Sequence, residues 1–534
     1  MAGTQLIVLN GSVHTIDPQR PVAEAIAVDG ETISAIGANA EIRALAGPQT
    51  KIIDAGGGTV LPGFNDAHVH FLAGGFSLSN VDLRESSSPR EMALRLGEYA
   101  RKAPKGTWIL GGDWDHENWE GGALPNRNWI DSLTPEHPVL VTRLDGHMAL
   151  ANSLALHLAG ITCSTVDPPG GVIVRDSKSG EPVGILKDSA QTLVERCIPP
   201  KTFEQKHAAA IAATDHAAAL GVTSVTDVST DDDLDIYLRL LNDGKLKTRI
   251  YAARSITCWE KLIQTQLPKT ADGLLRTGIL KGFSDGSLGS STALFFEPYA
   301  DDPGNRGLLF EQMFPEGIMK QRVAAADKLG FQVMIHAIGD EANLRILDVY
   351  DEVAALNGPR DRRFRIEHAQ HLRPGEIPRF ARQRVIASMQ PYHAADDGRW
   401  CEKRLGAPRC KGAYPFRSLL DSGATLAFGS DWTVAPLNPL QGIKAAVTRQ
   451  TLDGRYPAGW IPEQKITLDE AIDAYTRGSA YAEFSETTKG TLSVGKLADL
   501  IVLDRNLHRT DPNDIDKARV EYTILNGKVI HGSG

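Results

Sequence analysis

The sequence predicts an α/β fold. It reads as a (β/α)8 TIM barrel, with a small β-sandwich formed by both termini and an insertion after the first barrel strand. Three observations carry this. Eight short apolar runs alternate with helical runs over most of the 534 residues. The two chain ends share a different texture, short strand-like runs divided by turn dipeptides. The stretch between the first apolar run and the second, roughly 71 to 205, is far too long for one strand-to-helix connection.

At the N-terminal end Gln5–Leu9, Ala25–Val28, Thr32–Ile36 and Lys51–Ile53 read as strands, with Asn10-Gly11 and Asp29-Gly30 as turns. At the other end Asp499–Leu503 reads as a strand and Tyr522–Ile530, with Asn526-Gly527 inside it, as a hairpin. Residues 1–58 and 485–534 are therefore expected to close one composite β-sandwich, and 59–484 to form the barrel. The inserted subdomain, about 71–205, has strand-like pieces of its own at Thr107–Leu110, Val139–Arg143, Val172–Arg175 and Gly184–Leu186. It is expected to emerge at the C-terminal ends of the barrel strands and to roof them.

Leu61–His70 (Leu-Pro-Gly-Phe-Asn-Asp-Ala-His-Val-His) reads as the first barrel strand. Alternate strand side chains share a face, so His68 and His70 point the same way and could grip one divalent metal. Alone, His-x-His is equally the pattern of two solvated histidines. The other strands are Val222–Val228, after an Ala-rich helix stopped by Gly221, then Arg249–Arg254, Gly278–Phe283, Gln332–Ile338, Phe364–His368, Val385–Gln390 and Thr425–Gly429. Their ends carry Lys281, His336, His368 and, just past the eighth, Asp431. Each has a plain structural reading by itself, as a core histidine or a helix cap. A barrel, however, brings all these ends to one mouth, where its active site lies.

Composition narrows the classes. With 42% hydrophobic and 23% charged residues, the chain is ordinary globular protein. A net charge of −9 without a basic run argues against nucleic acid or an anionic membrane as partner. The five cysteines are scattered without Cys-x-x-Cys, which suits a reducing compartment and gives no thiolate zinc site. No basic region followed by an apolar segment opens the chain, and no apolar run approaches the ~20 residues of a membrane helix. A cytoplasmic location is expected, and barrels of this size commonly dimerise.

Pro-Gly-Phe-Asn-Asp-Ala-His-Val-His, Phe-Ser-Asp-Gly-Ser-Leu-Gly-Ser (283–290), Arg-Ile-Glu-His-Ala-Gln (365–370) and Phe-Gly-Ser-Asp-Trp (428–432) resemble the amidohydrolase superfamily of metal-dependent hydrolases. Within it they resemble the YtcJ-like branch, grouped with N-substituted formamide deformylases, and the likeness spans essentially the whole chain. It implies two divalent metals, one held by His68, His70 and Asp431, the other by His336 and His368. Lys281 would bridge them as a carbamate, since burial favours a neutral amine that captures CO2. Lys187, in Gly-Ile-Leu-Lys-Asp, is the second choice. Zinc is the default for such N/O donors, and manganese or iron would also fit.

The expected reaction is hydrolysis of a small-molecule N-acyl or N-formyl amide. A metal-bridging hydroxide, available because coordination lowers the pKa of water to about 7, attacks the carbonyl. Asp431 takes its proton and passes it to the leaving nitrogen. His147, in Asp145-Gly146-His147, is the first choice for stabilising the oxyanion, ahead of Tyr392 and His393. Trp114, His116 and Trp119, with Asp285, Phe295, Phe296 and His393, are candidates for the substrate cavity, although such aromatics are more often simple packing. The same site could cleave an ester, carbamate or urea. A deaminase is disfavoured because His336-Ala-Ile-Gly lacks the His-x-x-Glu of that type. A noncatalytic scaffold is disfavoured because all six ligand positions are filled.

Overall fold

The computed structural model describes residues 4–116, 119–144, 146, 148–168, 171–229, 233–262 and 273–532. They form two compact units, one of Met1–Leu72 with Ala210–Gly534, the other of Ala73–Ala209.

The first unit holds an eight-stranded parallel sheet: β1 (Phe64–Val69), β2 (Val222–Asp227), β3 (Arg249–Ser255), β4 (Leu275–Phe283), β5 (Gln332–Ala337), β6 (Arg365–His368), β7 (Ile386–Met389) and β8 (Leu426–Phe428). Neighbours in sequence are neighbours in space throughout. Helices such as Leu234–Asn242, Ile318–Lys328, Asp340–Asn357 and Ile377–Gln383 connect them. Both faces of β1, β2, β6 and β7 are buried, so that polar residues within them such as Asp66, Thr226 and Glu367 are buried as well.

Just beyond β8 the ring is drawn together. Asp431 N–H donates to His68 O at 2.7 Å, and His70 N–H to Trp432 O at 2.6 Å, with Val69 and Trp432 in a parallel bridge. This is a nearly closed (β/α)8 barrel.

Two further sheets belong to the same unit. One is four-stranded, Thr32–Gly37, Ala25–Asp29, Leu6–Leu9 and Lys51–Asp54. The other is six-stranded and mixes both chain ends: Lys528–His531, Val520–Leu525, Leu500–Leu503, Thr59–Pro62, Ser12–His14 and Val22–Ala23. Their facing side chains share one core, with Leu6, Val8, Ile26 and Val28 against Val13, Val60, Leu500, Val502 and Ile524. The run Leu61–His70, read from sequence as one strand, is two. Thr59–Pro62 pairs antiparallel with Leu500–Leu503, and β1 pairs parallel with β2. Hydrophobicity shows no break at Gly63 because both strands are fully buried.

The second unit is built on a six-stranded sheet in the order Gly171–Arg175, Pro182–Asp188, Met148–Ala151, Leu140–Arg143, Gly111–Trp114 and Val81–Asp82. Its helix Pro89–Lys102 starts at Ser88, whose Oγ caps Glu91 N–H, and buries Met92, Leu96 and Ala100. Among the described residues no helix is long and apolar enough to cross a membrane.

Candidate metal centre

Period-two alternation along β1 sends Asp66 and His68 to one side, with His70 just past the strand on the same register. Asp66 ties β1 to the turn after β8. Its Oδ1 accepts His68 N–H at 3.1 Å and its two oxygens accept Ser430 N–H at 2.9 and 3.0 Å. Gly429 is required there, because a Cβ would lie 2.6 Å from His68 N and 2.7 Å from Asp66 Oδ1. The result sets Asp431 Oδ1 3.4 Å from His70 Nε2 and 3.6 Å from His68 Nε2.

His368, the last residue of β6, brings its ring centroid to 5.1 Å from that of His68 and 4.5 Å from that of His336 on β5. Coordinating atoms of His68, His368 and Asp431 all lie within 4.8 Å of one another, and all three residues are buried. His368 therefore lies beside His68 and Asp431 as well as beside His336, the residue with which the resemblance grouped it. Lys281 on β4 is buried, its Nζ 4.4 Å from the Phe283 ring centroid, and Phe283 in turn lies against His336.

Electrostatics suit a cation. Burial holds His68 below the ordinary histidine value, His336 down to about 3 and His368 well below it, so each offers a neutral lone pair. Burial would raise the Asp431 carboxyl, but the surrounding His68, His70 and His368 hold it well below the ordinary carboxylate value. Burial brings the Lys281 amine down to about 8.

Whether a metal fits is tested by what the protein leaves unsatisfied. Among the described residues, Lys281 Nζ, His368 Nδ1 and Asp431 Oδ1 are buried without a hydrogen-bond partner, an arrangement that costs about 1–3 kcal/mol per group if nothing binds. His368 (φ 74°) and Asp431 (φ 59°) also hold left-handed backbone, a strain of order 1–3 kcal/mol each that functional sites retain. Neutral imidazoles with an ionised carboxylate are the N/O donors that zinc, manganese or iron accept.

A second cluster, His14, Asp469 and His508, edges a cavity of about 820 Å3 at the N-terminal end of β8. Its histidine rings stack at 3.7 Å and 5°, so their in-plane lone pairs run side by side instead of converging, and the group is partly exposed.

Other residues expected at a substrate cavity take packing roles. Trp114 is a core residue of the second unit, its Nε1–H donating to Val141 O at 2.9 Å, with Trp119 stacked beside it and the His116 ring edge-on. Phe295 is buried between Tyr299 and His371. Asp285 does not pair with Lys281. Its oxygens accept the backbone N–H groups of Leu294, Ile338 and Gly339 at 2.9–3.0 Å, which shapes the loops after β4 and β5. His393 is half-buried and stacks 6.3 Å from His368. Phe296 lies under the Arg373 guanidinium, 3.8 Å from its centroid. Lys187 lies in the second unit's sheet, opposite Met148 and Val172. His147 and Asp145 fall outside the described residues.

Sequence reading passed over Asp66, Arg365 and Glu367. The signal was present: charged residues inside otherwise apolar barrel strands, spaced two apart from each other or from His68. Glu367 Oε2 is 2.5 Å from His68 Nδ1, and Arg365 Nε donates to Glu367 Oε1 at 2.8 Å. Burial would raise the Glu367 carboxyl, but Arg365 and then His68 bring it down to about 2.

Comparison with known proteins agrees with this geometry. The sequence profile of the amidohydrolase family matches residues 51–531. Protein LONG AFTER FAR-RED 3 of Arabidopsis thaliana is 42% identical over 98% of this chain and 91% of its own length. The putative amidohydrolase YtcJ of Bacillus subtilis is 32% identical over 98% of both chains. The N-substituted formamide deformylase of Arthrobacter pascens is 28% identical over 98% of this chain and 97% of its own. Among solved structures, an uncharacterized metal-dependent hydrolase from Pyrococcus furiosus superposes with a TM-score of 0.75 at 30% identity, covering 95% of this chain and 99% of the other. The chain belongs to the amidohydrolase family of metal-dependent hydrolases, in the branch of YtcJ and the N-substituted formamide deformylase.

Proposed function

We propose that this hydrolase cleaves the C–N bond of a small N-acyl or N-formyl amide. His68, His70, Lys281, His336, His368 and Asp431 would be its metal ligands, and Asp431 its proton carrier. The observation that carries the reading is the convergence of His68, His368 and Asp431, together with a buried Lys281 Nζ that has no hydrogen-bond partner among the described residues. The deformylase among its relatives supports an amide substrate. In this reading two divalent ions bind, zinc first, with manganese or iron as alternatives.

Bound metal would supply water acidified to a pKa of about 7 and would polarise the substrate carbonyl. The remaining work falls to side chains. Asp431 Oδ1, ionised and facing both His68 Nε2 and His70 Nε2, takes the proton of the attacking water and returns it to the leaving nitrogen. Lys281, whose amine burial brings down to about 8, would add to CO2 as the free amine with loss of one proton, and the resulting carbamate would contribute two further oxygen donors. His393, its ring stacked 6.3 Å from that of His368, is the residue this reading assigns to substrate contact.

The test is a hydrolysis screen over N-formyl, N-acetyl and longer N-acyl amines, with metal counted per chain. Amide cleavage that is lost with a chelator and regained with zinc, manganese or iron is the expected result. Cleavage of esters or ureas alone by the fully metallated enzyme would overturn the amide assignment.

A further inference from the structure

Glu367 and Arg365 are two opposite charges with no solvent exposure in the middle of β6. Replacing a buried pair by apolar residues is often neutral or stabilising, so stability alone gives little reason to keep one. The contacts show what this pair holds. Glu367 Oε2 accepts from His68 Nδ1 at 2.5 Å and from Ser388 Oγ at 2.7 Å. Arg365 grips the same carboxylate twice, Nε to Oε1 at 2.8 Å and Nη2 to Oε2 at 3.1 Å, while Nη2 also donates to Ala67 O at 2.6 Å and to Ser388 Oγ at 3.0 Å. Strands β1, β6 and β7 are thus pinned at one point, directly behind the His68 ring.

An ionised carboxylate only accepts, so the proton of His68 must sit on Nδ1 and the lone pair on Nε2. Nε2 is the nitrogen that faces Asp431 Oδ1. We propose that Glu367, clamped by Arg365 and Ser388, is the positioning residue that fixes the tautomer and ring plane of His68 toward a divalent cation. The inference rests on the metal reading above and adds to it the group that orients one ligand. Arg365 serves by holding both Glu367 carboxyl oxygens in place, Nε on Oε1 and Nη2 on Oε2.

The experiment uses the full chain and zinc as the probe, with affinity read by chelator competition and the melting temperature of the metal-free protein read separately. Glu367→Gln retains shape but turns one acceptor into a donor facing Nδ1. Losing such a partner typically weakens metal binding 10–100-fold, and that is the expected shift. Because Glu367→Gln also strands Arg365 and could unfold the chain, a second variant, Arg365→Met with Glu367→Leu, removes both charges and the acceptor facing Nδ1 together. Zinc affinity should stay 10–100-fold weak in the double variant while its metal-free melting temperature returns toward wild type. Recovery of wild-type zinc affinity in the double variant would overturn the inference, leaving Glu367 as a mere counter-charge. So would unchanged affinity in Glu367→Gln. A wild-type chain that takes up neither zinc, manganese nor iron would overturn the metal reading and this inference with it.

Discussion

Gly429→Ala probes the seam on which the centre depends. Its new Cβ would stand 2.6 Å from His68 N and 2.7 Å from Asp66 Oδ1, where ordinary contact begins at 3.4 Å. The nearer atom is backbone and cannot swing aside, so the turn after β8 must move from β1 by roughly 0.8 Å, the shortfall between 3.4 and 2.6 Å. That displacement acts on the Ser430 N–H bonds to Asp66, at 2.9 and 3.0 Å, and on the Asp431 N–H bond to His68 O, at 2.7 Å. Overpacking of this kind costs about 1–3 kcal/mol of stability. A reacting group misplaced by about 1 Å loses on the order of 10²-fold in rate. The assay is kcat/KM at full metal loading on whichever amide the screen identifies, with zinc affinity measured alongside. Gly375→Ala is the control, since nothing lies within 4 Å of its Cβ. Wild-type kcat/KM and zinc affinity in Gly429→Ala would refute the claim that this close approach sets the Asp431–His68 geometry.

Three further outcomes are expected. Asp431→Asn keeps shape but removes the proton acceptor, so kcat should fall at least 10²–10⁴-fold at equal metal loading, and near-normal turnover would refute its role. Lys281→Ala should lower metal occupancy and regain part of it with a short carboxylic acid, whereas full occupancy without rescue would discount a lysine bridge. Asp397, half-buried and hydrogen-bonded by Gln370 Nε2 and Tyr414 OH at 2.7 and 2.6 Å, has its carboxyl raised to about 7 by desolvation and then by Asp396. In the unfolded chain it titrates near 4, so the stability its proton contributes is complete below about pH 4 and lost as pH rises through 7, at about 1 kcal/mol per unit. Asp397→Asn mimics the protonated acid and should flatten the decline between about pH 4 and 7 in urea unfolding, and parallel wild-type and variant profiles would contradict this.

The strand ends were legible in the sequence for a simple reason. Short apolar runs such as Gly-Ile-Leu before Lys281 and Val-Met-Ile before His336 make the polar residue that ends them stand out. His68 was visible through its pairing with His70, and His368 and Asp431 through their places at the end of the sixth run and just past the eighth. Two- and three-residue strands such as Val22–Ala23 and Ser12–His14 were not, because so few residues display no period. For Trp114 and Phe295 the sequence left lining and packing both open, because an aromatic in a wall and one in a core share the same local pattern; both are buried.

By itself the sequence determined the barrel, the additional strands at both ends, and which functional groups stand at the strand ends. Only tertiary structure decided who touches whom: His368 with His68 and Asp431, Asp66 across the seam to Ser430, Glu367 behind a histidine 299 residues away. Local periodicity fixes the direction in which a side chain leaves its own strand. Its partner depends on inter-strand register and on how the last strand meets the first, and both are set by packing over the whole ring.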